Sequence, residues 1–131
     1  PGLYFAPKVV TWKLETHLQE IAECHIGVAP LALDEWCSFK CPHKLFTYMA
    51  LSLPVVCTAI QSYREVIENG VNGFVIENND LDAWYEALKC LIVDEERRNS
   101  IIREGKKTAL KFSSDRMAKE WDALFTRLIS S

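Results

Sequence analysis

Two lysines and a histidine lie close together in the segment 39–56, FKCPHKLFTYMALSLPVV, just ahead of a predicted apolar helix. Pro42 is typical of the first turn of a helix, where its missing N–H costs nothing. A helix N-terminus exposes unpaired N–H groups and a partial positive charge, which favour anions. Lys40, His43 and Lys44 surround this end, and the segment therefore predicts a cradle for a diphosphate or a phosphosugar.

Thr47 is a further candidate, because it follows His43 and Lys44 at four- and three-residue spacing and shares a helix face with both. The simpler alternative is that both lysines are solvated side chains of the first turn and bind no ligand. Lysine at a helix N-terminus opposes the helix dipole, so its presence there argues for a compensating gain. The chain has neither a P-loop nor a G-x-G-x-x-G sequence to strengthen the phosphate prediction.

The cysteines favour reduced thiols and a cytosolic compartment over a disulfide framework, because their number is odd and two of them lie in apolar runs. They are Cys24, Cys37, Cys41, Cys57 and Cys90. Cys37, Cys41 and His43 are close enough in sequence to suggest a metal. A structural zinc site needs four ligands, usually in closely spaced pairs, and the sequence has no second pair. We therefore expect no metal.

The composition excludes several classes of function. The chain has 131 residues and a formal net charge of −3, so it lacks the basic footprint of a nucleic-acid-binding protein. No apolar stretch reaches the roughly 18 residues of a membrane span. The first ten residues, PGLYFAPKVV, have no initiator methionine and no signal-peptide pattern. We expect a single cytoplasmic domain, residues 1–131, that is part of a longer protein.

Short apolar segments alternate with amphipathic ones along the chain. Strands are predicted at Lys8–Trp12, His25–Ala29, Pro54–Thr58 and Phe74–Ile76. Helices are predicted at Leu14–Cys24, Pro42 to about Leu51, about Ser62–Glu68, from Asn79 or Asp80 onward, from Asp94 to about Phe112, and after Ser113 or Ser114, with Leu31–Cys41 as a loop. This alternation predicts an α/β fold whose parallel sheet is covered by helices on both faces. Ligands of such sheets bind at the carboxyl ends of the strands, which selects the loops after the four predicted strands.

An ordered set of short patterns resembles the C-terminal half of a family 4 glycosyltransferase of the GT-B type. The patterns run from about Val9 to the C-terminus, and they are specific as a set although each is weak alone. They are Tyr48-Met49-Ala50, Pro54-Val55-Val56, Glu65-Val66-Ile67, Gly70-x-Asn72-Gly73-Phe74, Asp94 with Arg97 and Arg98, and Phe112-Ser113.

The resemblance implies a Rossmann-like lobe that binds a UDP- or GDP-sugar donor at the carboxyl edge of its sheet. It implies a truncated lobe, without its first strands and without the other lobe, which would bind a glycan or lipid-linked acceptor. The reaction would be a retaining sugar transfer that relies on electrostatic stabilisation of the leaving diphosphate. No catalytic side chain and no metal cofactor is expected on this chain. Peripheral association of the full-length protein with the inner face of the membrane is left open.

The chain departs from the family pattern at the two glutamates of its helix motif, where it has Phe39 and Thr47. It also has Ser52 where the family has glycine. A sub-branch with the pattern G-K-C-x-x-K-L-x-x-Y-M-A is closer to this chain, and in it the lysines would take over contacts to the diphosphate or the sugar. We therefore expect Lys40 and Lys44 to neutralise phosphate, aided by His43 and nearby N–H groups.

The remaining donor contacts follow from the same resemblance. Thr47 would hydrogen-bond the ribose in place of glutamate. Thr11 and Trp12, at a predicted strand end, would lie near the base, and Ala59–Gln61 would line the site. Two strands of the usual lobe are missing next to the first predicted strand, so we expect Pro1–Trp12 to be poorly placed or rearranged.

Two other interpretations stay open. The loss of both motif glutamates is also typical of a degenerate, non-catalytic lobe that serves in binding or assembly. A flavodoxin-like receiver or small-ligand domain needs an acidic cluster or a glycine-rich turn after its first strand. The segment TWKLETHL supplies neither. Under all three interpretations the chain alone is expected to be inactive.

Overall fold

A three-stranded parallel sheet forms the centre of the protein, whose computed structural model describes residues 7–130. Its strands are β1 (Gly27–Ala29), β2 (Val55–Thr58) and β3 (Phe74–Ile76), with β2 in the middle. Gly27 pairs with Val55, and Val56 pairs with Phe74. The α/β class and the parallel sheet are confirmed, and the carboxyl ends of all three strands lie at one edge.

Helices cover both faces of this sheet. The helices within residues 7–130 are α1 (His17–Ala22), α2 (Glu35–Ser38), α3 (His43–Ala50), α4 (Gln61–Arg64), α5 (Leu81–Val93), α6 (Glu95–Lys111) and α7 (Ser114–Ile129), and a 3-10 turn spans Glu77–Asn79. Of these, α3 lies on one face of the sheet, and α5 and α6 lie on the other. No helix among residues 7–130 is both long enough and apolar enough to cross a membrane.

Alternation along β2 divides the core into two layers. Val55 and Cys57 pack with Leu45 and Met49 of α3 on one face, while Val56 packs with α5 and α6 on the other. All of these side chains are buried. A strand buried on both faces is apolar throughout, which is why the run PVVC was recognisable as a strand in the sequence.

The predicted strand Lys8–Trp12 is wrong. Residues 7–13 have no regular structure, and the side chains of Val9 and Trp12 are 88% and 67% exposed. A strand exists only when a neighbour accepts and donates its backbone hydrogen bonds, and the sheet of residues 7–130 contains only β1, β2 and β3. The expectation that Pro1–Trp12 is poorly placed or rearranged agrees with the lack of a strand in residues 7–12, and residues 1–6 lie outside the described part of the chain.

Smaller differences concern boundaries. The first helix is shorter than predicted, α4 ends at Arg64, and the predicted loop Leu31–Cys41 contains α2. The predicted caps of the long helices are confirmed for the two aspartates: Asp80 accepts from Ala83 N at 2.8 Å, and Asp94 accepts from Arg97 N at 2.8 Å. Such caps satisfy N–H groups that a helix leaves unpaired.

The Asn-Gly-rich turn before β3 is a structural element. Gly70 adopts φ +76°, a region that favours glycine. The buried amide of Asn72 accepts from Glu68 N at 2.8 Å and donates to Val66 O at 3.0 Å and to Thr108 Oγ1 at 2.9 Å. The Gly70-x-Asn72-Gly73 pattern therefore ties the turn to α6.

Ser52 occupies a left-handed position after α3, with φ +67°. Ser52 N donates to Met49 O and Leu53 N donates to Tyr48 O, which is the Schellman pattern of helix termination. Glycine is preferred at this position, because a side chain there crowds the following carbonyl. This left-handed conformation explains why the family pattern has glycine at the position of Ser52.

Ser52→Gly is expected to raise the free energy of unfolding by about 0.5–1 kcal/mol, since relief of strain exceeds the entropy that glycine adds to the unfolded chain. Urea denaturation measures the change. Ser52→Ala keeps the Cβ and serves as the control. A glycine variant no more stable than the alanine variant would contradict this account.

Candidate functional site

The loop of residues 30–42 joins the carboxyl end of β1 to α3 and contains α2. In a β-α-β crossover the helix begins near the carboxyl edge and returns to the start of the next strand. Lys40, His43 and Lys44 therefore lie at the edge where ligands of parallel sheets bind. The loops that follow β2 and β3 begin at the same edge.

The N-terminus of α3 is electrostatically open. Pro42 provides no side-chain cap, and the first turn contains no acidic residue. Leu45 N donates to Pro42 O at 3.0 Å, whereas within residues 7–130 no acceptor is found for the N–H groups of His43 and Lys44. Both side chains are exposed. The end of the helix thus combines free N–H groups with the exposed ammonium group of Lys44 and no compensating carboxylate in that turn.

Hydrogen bonds fix the loop ahead of this helix. Asp34 Oδ1 accepts from Cys37 N at 2.7 Å and caps α2. This hydrogen bond, with a smaller contribution from Lys40, holds the pKa of Asp34 below its usual range. Ser62 Oγ at the start of α4 donates to Lys40 O at 2.6 Å. The backbone of Lys40 is therefore held against the start of α4, while its side chain is half-buried.

A second polar cluster at the strand ends was not predicted. Thr58 ends β2, and its Oγ1 accepts from Leu31 N at 2.8 Å and donates to Asn79 Oδ1 at 2.7 Å. Asn79 Nδ2 in turn donates to Leu31 O at 2.8 Å. The sequence contained one signal for this cluster, the hydroxyl of Thr58 at the end of a buried apolar strand. The carboxyl ends of the strands are also where ligands of parallel sheets bind.

Thr47 lies on the flank of α3 that faces α6. Its Oγ1 donates to His43 O at 3.1 Å, so its hydroxyl has acceptor capacity left for a ligand. Thr47 also lines a groove of about 610 Å³ with mainly apolar neighbours from α1, α3 and the junction of α6 and α7. These neighbours include Leu18, Phe46, Ala50, Ala109 and Phe112. A contact between Thr47 and ribose stays a prediction.

Thr11 and Trp12 do not end a strand, which removes the reason for placing them near the base. Both are exposed, and the Trp12 ring lies 5.3 Å from that of His17, between ring centroids. In the segment Ala59–Gln61, the first two residues are buried. Gln61 is exposed and donates to Glu65 Oε1 at 3.0 Å, so it is the member of this segment whose side chain is accessible.

Neither the thiols nor the acidic residues form an evident reactive centre. Burial raises the pKa of the Cys57 thiol to about 12, which disfavours the nucleophilic thiolate. Cys37 is buried and Cys41 is exposed. Within residues 7–130, no group of three or more His, Cys, Asp or Glu side chains is arranged to hold a metal ion. The chemistry available at the carboxyl edge is anion binding by lysines and backbone N–H groups.

Comparison with known proteins gives the family. The family model for glycosyl transferases group 1 matches residues 4–94. Among curated proteins, the chain is 32% identical over 81 residues to the capsular polysaccharide biosynthesis glycosyltransferase CapM of Staphylococcus aureus, covering 61% of this chain and 21% of CapM. It is 28% identical over 79 residues to a D-inositol 3-phosphate glycosyltransferase of Corynebacterium urealyticum, covering 60% and 19%.

A third relative is an exopolysaccharide phosphotransferase of Streptomyces coelicolor, 29% identical over 90 residues, which are 68% of this chain and 10% of that protein. The chain therefore matches about a fifth or less of the length of these relatives. The family model covers more than half of the chain and includes the whole sheet, the loop 30–42 and α3. The chain belongs to the group 1 glycosyl transferases.

Proposed function

We propose that residues 1–131 are the nucleotide-sugar-binding lobe of a glycosyltransferase that uses a UDP- or GDP-sugar. The observation that carries this proposal is the open N-terminus of α3 at the carboxyl edge of the sheet, with Lys40 and Lys44 beside it and no acidic residue in its first turn. A diphosphate is the part of such a donor that these groups suit. Family membership supplies the reaction class.

The lysines and N–H groups would act on the donor in two ways. They hold the diphosphate in the ground state, and they stabilise the charge that grows on it as the bond to the sugar breaks. Phosphate contacts from N–H groups need no side-chain reorganisation, because α3 already orients them. Thr47 would contact the ribose, and Gln61 would face the donor from the loop after β2.

The acceptor would be a glycan or a lipid-linked glycan, bound mainly by parts of the protein beyond this lobe. Two of the relatives carry capsular polysaccharide or exopolysaccharide in their names, which supports a role in polysaccharide biosynthesis. We also propose that the protein works in the cytoplasm without a metal cofactor, with peripheral membrane association where the acceptor is lipid-linked.

Lys44→Ala is expected to weaken UDP or GDP binding by the full-length protein by about tenfold, the loss of one charge-assisted hydrogen bond. Isothermal titration measures the affinity. Lys89→Ala is the matched control, since Lys89 is an exposed lysine of α5 that lies 3.7 Å from Glu86. Wild-type protein without nucleotide affinity, or an unchanged Lys44→Ala, would refute the proposal.

A non-catalytic binding module is the second candidate, favoured by Phe39. This residue stands at the position of the first motif glutamate and is 82% exposed, so an apolar ring replaces a carboxylate that would contact the transferred sugar. The two candidates differ in turnover. Release of UDP or GDP from the donor by the full-length protein, above the rate without acceptor, favours the enzyme, whereas binding without release favours the module.

A further inference from the structure

We propose that Thr58 and Asn79 are positioning residues for the donor loop, defined as residues 30–42. They would hold its first residues in place so that Lys40 and the start of α3 meet the diphosphate with little reorganisation. This inference rests on the proposed function and deepens it, because it assigns to the ends of β2 and β3 a role in ordering the site on β1.

Leu31 is held through both of its backbone polar groups. Its N–H donates to Thr58 Oγ1 at 2.8 Å, and its carbonyl accepts from Asn79 Nδ2 at 2.8 Å. Thr58 Oγ1 donates to Asn79 Oδ1 at 2.7 Å, which closes the ring of three residues. Thr58 is 0% exposed, so a buried hydroxyl is the group on which these hydrogen bonds converge.

The backbone of Asn79 supports this arrangement. Asn78 and Asn79 both have positive φ, at +51° and +52°, and they end the 3-10 turn after β3. Asparagine tolerates the left-handed region better than most residues with a side chain. The turn brings the Asn79 amide to the end of β2, 21 residues away in sequence from Thr58. One hydroxyl and one amide therefore connect the ends of all three strands.

The donor loop is consequently fixed near both ends by a hydroxyl. Thr58 holds Leu31 at its beginning, and Ser62 Oγ holds Lys40 O at 2.6 Å near its end. A loop ordered before the ligand arrives avoids an entropy cost on binding. If Leu31 were released, the loop would have to be ordered when the ligand binds. Affinity for the diphosphate would then fall, although no residue that faces the diphosphate has changed.

A buried Asn–Thr pair elsewhere in the fold provides the control. Asn72 Nδ2 donates to Thr108 Oγ1 at 2.9 Å, and both residues are buried. Asn72 precedes β3, so this pair lies toward the amino end of that strand, away from the carboxyl edge. Thr58 and Thr108 are both buried, and removing either hydroxyl deletes hydrogen bonds; of these two threonines, only Thr58 contacts the donor loop.

The test compares the wild type, Thr58→Val, Thr58→Ser and Thr108→Val in the full-length protein. Titration with UDP and GDP is expected to show about a tenfold loss of affinity for Thr58→Val and near wild-type affinity for the other two. Thermal melts should show that Thr58→Val and Thr108→Val both lower the Tm. If both variants are destabilised and only Thr58→Val loses affinity, the loss comes from positioning and not from general destabilisation. Equal affinities of the two valine variants would overturn the inference.

Amide hydrogen exchange of the nucleotide-free protein gives a readout that does not depend on binding. Thr58→Val is expected to speed exchange in residues 31–40 more than Thr108→Val does, with recovery in Thr58→Ser. Similar exchange of this segment in both valine variants would overturn the inference. A wild type that binds neither nucleotide but shows the expected exchange pattern would count against the proposed function and leave the loop-holding role of Thr58 intact.

Discussion

Replacing both Lys40 and Lys44 by glutamate is expected to lower UDP and GDP affinity by more than about 100-fold. Each charge-assisted contact to phosphate contributes about 1.5–3 kcal/mol, so the loss of two contacts alone corresponds to at least this factor. The two carboxylates would also repel the diphosphate. Titration or competition with a fluorescent nucleotide measures the effect in the full-length protein.

The same Lys40→Glu/Lys44→Glu variant is expected to fold at least as well as the wild type. At the exposed position 44, glutamate interacts favourably with the helix dipole, by about 0.3–1 kcal/mol, whereas lysine opposes it. We expect this gain to offset the loss of the small attraction between half-buried Lys40 and Asp34. Reduced affinity in a protein of unchanged or higher Tm therefore cannot come from unfolding. Lys89→Glu/Lys119→Glu changes the net charge equally at exposed positions of α5 and α7 and should bind like the wild type.

An unchanged affinity of the lysine variant would mean that the diphosphate does not bind at the start of α3. An equal loss in the control variant would show that net charge, and not the position of the lysines, governs the interaction. Salt dependence adds a further comparison, because a direct phosphate contact by the wild type weakens as ionic strength rises.

Gly27→Ala is expected to lower the free energy of unfolding by about 3 kcal/mol, a large overpacking cost. A Cβ at Gly27 would lie 2.4 Å from Tyr48 Cδ2, 2.5 Å from its Cγ and 2.9 Å from its Cβ. The atoms close to the Tyr48 backbone cannot move away without shifting α3, which carries buried Leu45 and Met49. Tyr48 itself is half-buried, and burial raises the pKa of its hydroxyl.

Gly105→Ala in α6 is the matched control for Gly27→Ala. Its Cβ would lie 3.3 Å from Met49 Cγ, an atom of a flexible side chain that can move by a few tenths of an ångström. Alanine gains about 0.8–1 kcal/mol of helix propensity over glycine, so we expect little net change. Urea denaturation of both variants measures the difference. Equal stabilities of the two variants would show that Tyr48 does not fill the space next to Gly27 as described.

The most accurate predictions from the sequence rest on local signals. The strand Phe74–Ile76 is confirmed at both ends, and Asp80 and Asp94 cap the helices whose starts they indicated. Pro42 was predicted in the first turn of α3 and lies one residue before it, at the N-cap position. These features depend on residues a few positions apart, so a short stretch of sequence contains the information that determines them.

The least accurate prediction was the strand Lys8–Trp12, because a strand depends on a neighbour that its own residues do not specify. The apolar run KVVTW satisfies the local criteria, yet the described sheet has no strand there. The reason for placing Thr11 and Trp12 near the base was the end of that strand, and it is absent from the described sheet. Thr47, correctly placed on a helix, lies beside a groove shared with α6 that no local pattern indicates.

The sequence by itself determined the α/β alternation, the parallel sheet and the cationic helix start that follows β1. It did so because periodicity, capping residues and proline act over a few residues. Only the tertiary structure decided which polar groups hold that helix start in place: Thr58 meets Leu31 across 27 residues, and Asn79 meets it across 48. Such contacts arise when parallel strands bring their carboxyl ends together, and their partners are chosen by the packing of the whole sheet.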